Sequence, residues 1–121
     1  MGNRSVVQAV AAVFGALYLV AGVLGFFIHP LLGIFQVNLV HNLVHIVIGI
    51  GGLAAASSLA NSKTFCQIAG VILLLLGLLG VGVANPFGLL YLGGGDIALH
   101  LVTGGVLAYF GFVAPVSTRS A

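Results

Sequence analysis

Four side chains carry whatever chemistry this chain could do: His41, His45, Asp96 and His100. His41 and His45 stand four residues apart, as do Asp96 and His100, which places each pair on one face of a helix if helices hold them. Imidazoles and a carboxylate at this spacing on two helices have the composition of a zinc, copper or non-haem iron site. That reading takes His41, His45, Asp96 and His100 as the metal ligands. Gly49 follows His45 by four residues and Gly104 follows His100 by four. His45 and His100 therefore also read as axial cofactor ligands beside a gap where the flat ring of a haem or a chlorophyll-type pigment would lie. The competing reading is structural. The three histidines then hydrogen-bond across helices, Asp96 caps a helix directly after Gly93, Gly94 and Gly95, Asn38 caps another, and Asn42 bonds between helices. The residues alone leave these readings open.

The elements that would position these groups follow from composition. The chain has 121 residues, 61% of them hydrophobic and only 3% charged, against roughly a quarter charged in a soluble domain. Arg4, Lys63, Asp96 and Arg119 are its only charged side chains apart from histidine, and the net charge of +2 forms no patch. Nucleic acid is thereby excluded as a partner. The single cysteine, Cys66, has no mate for a disulfide or a thiolate metal site and reads as a small apolar residue at a helix start. Lipid bilayer is the expected surrounding.

Four runs, Val6 to Phe27, Asn38 to Leu59, Thr64 to Val83 and Asp96 to Val113, have the roughly 20 residues that cross a hydrocarbon core. In lipid their backbone groups must pair within each segment, so all four are expected as helices. The first run is longer than the roughly 7 to 15 apolar residues of a signal peptide and is expected as a retained span. The Met-Gly opening lacks the Ser or Thr at position six of a myristoylation signal, since Val6 stands there. Ala60 to Lys63 reads as a polar turn, and His29 as an interfacial residue beside Pro30. Tyr91 suits an aromatic belt, while the three tyrosines and eight phenylalanines show no stacking arrangement. Arg4, Lys63 and Arg119 fall on one side of this layout. The positive-inside tendency makes that side, with both termini, cytoplasmic, in a bacterial inner or thylakoid-type membrane.

An internal repeat organises the runs. Gly15, Gly22, Gly25, Gly33 and Gly49 recur 55 residues later as Gly70, Gly77, Gly80, Gly88 and Gly104, His45 falls on His100, and His41 falls on Asp96. Pro30 and Pro86 follow one residue out of register. The expected fold is an all-α polytopic membrane protein of four transmembrane helices, built as two parallel helical-hairpin repeats. It forms a single membrane domain over 1–121, with repeat one at about 6–59 and repeat two at about 64–115. Each repeat holds an even number of spans, so the two share one orientation and a pseudo-twofold axis along the membrane normal. That axis would bring the faces bearing His41, His45, Asp96 and His100 together near the outer leaflet.

The stretch LLGIFQVNLVHNLVHIVIGIGGL from Leu31, a first span ending in GVLGFF, and a fourth span that opens with an acidic residue four before a histidine closely resemble a family of small bacterial membrane proteins known as domain of unknown function 4383. The resemblance covers most of the chain. It implies four spans and His41, Asn42, His45, Asp96 and His100 as signature positions, and it implies no activity. The family's second signature usually carries asparagine directly after the aspartate, where this chain has Ile97.

Three functions are expected from this sequence. The first is a non-enzymatic accessory or structural subunit of a larger membrane complex, energy-transducing or photosynthetic, packing against other subunits or itself through glycine-rich faces. The second is a metal- or tetrapyrrole-binding membrane protein that uses the His and Asp cluster. The third is a small ion or proton transporter. An enzyme is not expected, because nothing resembles a nucleophile with a base, and one carboxylate cannot serve as a paired acid and base.

Overall fold

The computed structural model describes residues 5–29, 37–83, 85, 88 and 92–115. Four helices follow one another: α1 (Val6–Leu24), α2 (Leu39–Ala55), α3 (Leu59–Gly82) and α4 (Gly94–Ala108), with α4 continuing as a π-helical turn over Tyr109–Val113. No strand occurs among the described residues. Arg4, Arg119, Pro30, Gly33, Pro86 and Tyr91 lie outside them, and so do the readings that rest on those residues.

Small polar residues set the helix boundaries. Ser5 caps α1, its hydroxyl accepting from the Gln8 amide while the Gln8 side chain accepts from the Ser5 N–H, a reciprocal capping box. Asn38 caps α2 as expected, its side-chain oxygen accepting from the His41 N–H at 2.8 Å. Ala60 to Lys63 departs from its expected turn and forms the opening of α3. Ser58 is the cap, accepting from the Asn61 N–H at 3.1 Å, and the Ser62 hydroxyl reaches back to the Ala55 carbonyl at 2.9 Å. The polar residues there cap and tie a helix start. As a result α2 ends at Ala55 with 17 residues and α3 gains a turn.

The segments Val6–Leu24, Leu59–Gly82 and Gly94–Val113, of 19, 24 and 20 residues, are long and apolar enough to cross a membrane. The 17 residues of α2 sit at the lower end of what spans. Large apolar side chains point outward all round, with Phe27 80% and Val81 71% exposed, while the buried stripes carry glycines, histidines and hydroxyls. This inverted distribution belongs to an integral membrane helical bundle, where lipid is as good a solvent for leucine as the protein interior.

Each helix packs on its neighbour in sequence through glycine. A Cβ at Gly15 would lie 2.7 Å from the Leu53 nitrogen, and one at Gly70, 55 residues on, would lie 2.5 Å from the Ala108 nitrogen. Likewise a Cβ at Gly49 would lie 2.5 Å from the Leu19 nitrogen and one at Gly104 2.7 Å from the Leu74 nitrogen. Gly22 meets Ile46 where Gly77 meets Leu101, and Gly25 meets Asn42 where Gly80 meets Ile97. Both hairpins are therefore antiparallel and share one set of contacts at the 55-residue offset. Ile97 packs into the notch of Gly80.

These close approaches predict a contrast in stability. Gly49→Ala and Gly104→Ala each force backbone apart and are expected to cost about 1–3 kcal/mol. Gly105→Ala, with nothing near its added carbon, gains helix propensity of up to about 1 kcal/mol. Thermal unfolding in detergent, followed by helical ellipticity, separates the two outcomes.

Candidate metal centre

The cap at Asn38 sets the register of α2 so that His41, Asn42 and His45 all turn inward. On α4, Gly93 is the cap residue, and Asp96 stands three residues inside. Its carboxylate accepts from the Gly93 N–H at 3.0 Å. Asp96 thus serves the helix start from the first turn and is not the cap residue itself; glycine can hold the extended cap conformation, and the carboxylate reaches back to its N–H. Negative charge in the first turn also suits the helix dipole. His100 follows one turn later.

The three histidines meet. Their ring centroids lie 4.3 Å apart for His41 and His45, 5.6 Å for His41 and His100, and 6.4 Å for His45 and His100. One nitrogen of each lies within 4.8 Å of the nitrogens of the others. All are buried, with His41 and His100 each 2% and His45 4% exposed. Neither ring nitrogen of His45 has a hydrogen-bond partner among the described residues, nor has Nδ1 of His100. Asp96 is equally buried but is not one of the residues in this converging group. Of the four expected ligands, three come together and the fourth holds the end of α4.

In a tetrahedral site with metal–nitrogen bonds of about 2.0–2.1 Å, ligand nitrogens stand roughly 3.3 Å apart. Nitrogens already within 4.8 Å close that difference by small side-chain rotations. Three imidazoles, with no further ligand side chain in the group among the described residues, would leave a fourth tetrahedral position open. Cys66 contributes no sulfur, because it sits in the apolar core with Val7, Ala11, Ala69, Leu73 and Leu107.

The gaps expected beside His45 and His100 are occupied. Gly49 is covered by Leu19, and Gly104 by Leu73 and Leu74. The glycines admit a neighbouring helix, and that leaves no slot for a macrocycle there.

Sequence reasoning missed Tyr18 and Thr103. The Tyr18 ring stands edge-on to His45 with centroids 5.1 Å apart, and Tyr109 and Phe110 also meet edge to face at 5.2 Å, so the aromatic residues do stack. The Thr103 hydroxyl donates to the Leu99 carbonyl at 2.7 Å, which leaves the Tyr18 hydroxyl as donor in the 2.7 Å bond between the two side chains. This bond ties α1 to α4. A signal was present, since Tyr18 continues the inward stripe of Val7, Ala11, Gly15 and Gly22. Thr103→Val strands a buried hydroxyl and is expected to cost about 1–2 kcal/mol, whereas Tyr18→Phe removes the donor itself and costs about 0.6 kcal/mol. Unfolding of both single variants and the double variant reads the coupling directly.

Fold and site together define a four-helix integral membrane protein with a buried histidine triad between two glycine-packed hairpins. The family profile described as Domain of unknown function (DUF4383) matches residues 8–113, and the chain belongs to that family. No curated protein and no solved structure matches it.

Proposed function

We propose that this is a non-enzymatic transition-metal-binding membrane protein whose ligands are His41, His45 and His100. The observation that carries the reading is the convergence of three buried imidazole nitrogens within 4.8 Å, with His45 unsatisfied at both ring positions among the described residues. Buried polar groups ordinarily find partners, and a bundle that buries His45 with neither ring nitrogen bonded, and His100 with Nδ1 unbonded, among the described residues gives up hydrogen bonds. A bound cation would recover that loss. Imidazole donors suit zinc, copper, iron and nickel, and the single carboxylate, one turn from His100, adds negative charge at the same end of the bundle.

The other expected roles have weaker support. Packing onto partner subunits rests on glycine-rich faces, and the buried glycines Gly15, Gly22, Gly49, Gly70, Gly77 and Gly104 are taken up by contacts within the chain. An accessory-subunit role rests on the apolar lateral surface, which lipid covers equally well. A haem or chlorophyll-type pigment would need the notches beside His45 and His100 that neighbouring helices fill. A proton or ion path would have to pass the apolar core of Val7, Ala11, Leu73 and Leu107.

The positive-inside tendency makes the Lys63 end of the bundle cytoplasmic. In a bacterial inner or thylakoid-type membrane the histidine triad then lies toward the opposite face. Elemental analysis of the protein purified from membranes in mild detergent tests the reading. About one transition-metal ion per chain and no tetrapyrrole absorption are expected, and a metal-free, colourless protein that takes up no added zinc or copper overturns it.

A further inference from the structure

Beside the histidine triad, a cavity of about 280 Å³ runs along the seam between α1 and α4. It is half open at the outer surface of the bundle, and its wall is apolar, with Phe14, Leu17, Ala21 and Leu99 prominent. Val20 and Leu24, which also line it, are exposed on the lateral, lipid-facing surface. His45 lies in its wall, buried and without a partner on either ring nitrogen among the described residues. The cavity reaches from Val37 and Asp96 at the ends of α2 and α4 into the body of the bundle, with the Asp96, Tyr18 and Thr103 side chains also in its lining. His45 is six residues into α2 and Thr103 nine residues into α4, so these two lie roughly 9–14 Å along their helices at about 1.5 Å per residue, while Asp96 stands in the first turn of α4.

An apolar cavity excludes water and ions and admits small apolar molecules, as dry engineered cavities take up xenon or benzene. Charged ligands of a metal, such as azide, would have to leave their hydration shells to pass such a wall. Uncharged diatomic molecules dissolve in hydrocarbon and carry no such cost. A metal held by three imidazoles keeps positions open for one more ligand.

We propose that the α1–α4 cavity is a lipid-side route by which a small uncharged ligand, of the class of nitric oxide or dioxygen, reaches a metal on His41, His45 and His100. The inference rests on the metal reading and adds to it the class of the exogenous ligand and its direction of entry. Binding is by coordination to an open position, and no bond in the ligand is broken.

The test uses the whole protein in detergent, loaded anaerobically with ferrous iron, with nitric oxide as probe. Wild type is expected to give the half-integer-spin iron nitrosyl signal in electron paramagnetic resonance, and azide is expected to give no complex. Ala21→Phe and Leu99→Phe, which fill the cavity without removing a histidine, are expected to bind iron normally and to slow nitric oxide association at least tenfold. Phe14→Ala widens the cavity and is expected to speed it, which keeps the test sharp if a filling variant folds poorly. Iron uptake with no nitrosyl signal, with azide binding as readily as nitric oxide, or with rates unmoved by all three variants overturns the route and leaves the metal reading standing. Failure of wild type to take up iron, zinc or copper overturns both.

Discussion

His100→Ala is expected to abolish stoichiometric metal binding, weakening affinity for zinc by well over 100-fold, while Asp96→Asn weakens it by about tenfold or less. Removing one of three ligands leaves a two-coordinate remnant. That must cost more than the 10- to 100-fold typical of losing a group that merely supports a ligand. His41→Ala and His45→Ala should match His100→Ala, because each supplies one nitrogen to the same converging set. Asp96 differs because its carboxylate is engaged with the Gly93 N–H and is not one of the converging residues. Isothermal titration with zinc in a weak competing chelator measures all four. If Asp96→Asn abolishes binding while His41→Ala retains it, the ligand set is wrong. The affinity should also fall as pH drops, since metal and protons compete for the same imidazole nitrogens.

The inward faces were legible in the sequence because the membrane reverses the usual pattern. With apolar residues everywhere, the scarce glycines, histidines and hydroxyls marked the interior, and their spacing of three and four gave the helix faces. The same logic found Asn38 as a cap and paired Gly49 with Gly104. It failed at Ala60 to Lys63, where residues that read as a turn are the capped start of α3. A serine cap and a loop serine look alike until the backbone N–H it serves is known. The division of labour among the four polar residues was also hidden. Asp96 and His41 occupy corresponding positions 55 residues apart, yet one serves a helix terminus and the other faces its fellow histidines. The two caps differ: the Asn38 side-chain oxygen accepts from the His41 N–H, whereas Gly93 has no side chain and its N–H is served by Asp96. Tyr18 escaped notice because its hydroxyl's partner, Thr103, lies 85 residues away.

Zinc is expected to raise the stability of the bundle by about 2.7 kcal/mol at a free concentration 100 times its dissociation constant and about 4.1 kcal/mol at 1,000 times. The site makes this more than simple mass action, because the ligands come from both hairpins. Within each hairpin the helices interlock through glycine, at Gly15 and Gly49 in one and at Gly70 and Gly104 in the other. Between the hairpins, the bond from Tyr18 to Thr103 is a polar tie on the α1–α4 side. A metal bridging His41 and His45 on α2 to His100 on α4 would add coordinate bonds across that same divide. Slowed hydrogen exchange should therefore concentrate at the first turns of α2 and α4, around His41 to His45 and Asp96 to His100, with the first turns of α1 and α3 little changed. Thermal unfolding and exchange with and without zinc, in wild type and His100→Ala, measure both effects. Equal stabilisation of His100→Ala would show that zinc acts elsewhere on the protein. Protection confined to α2 would show that the metal binds His41 and His45 without joining the hairpins.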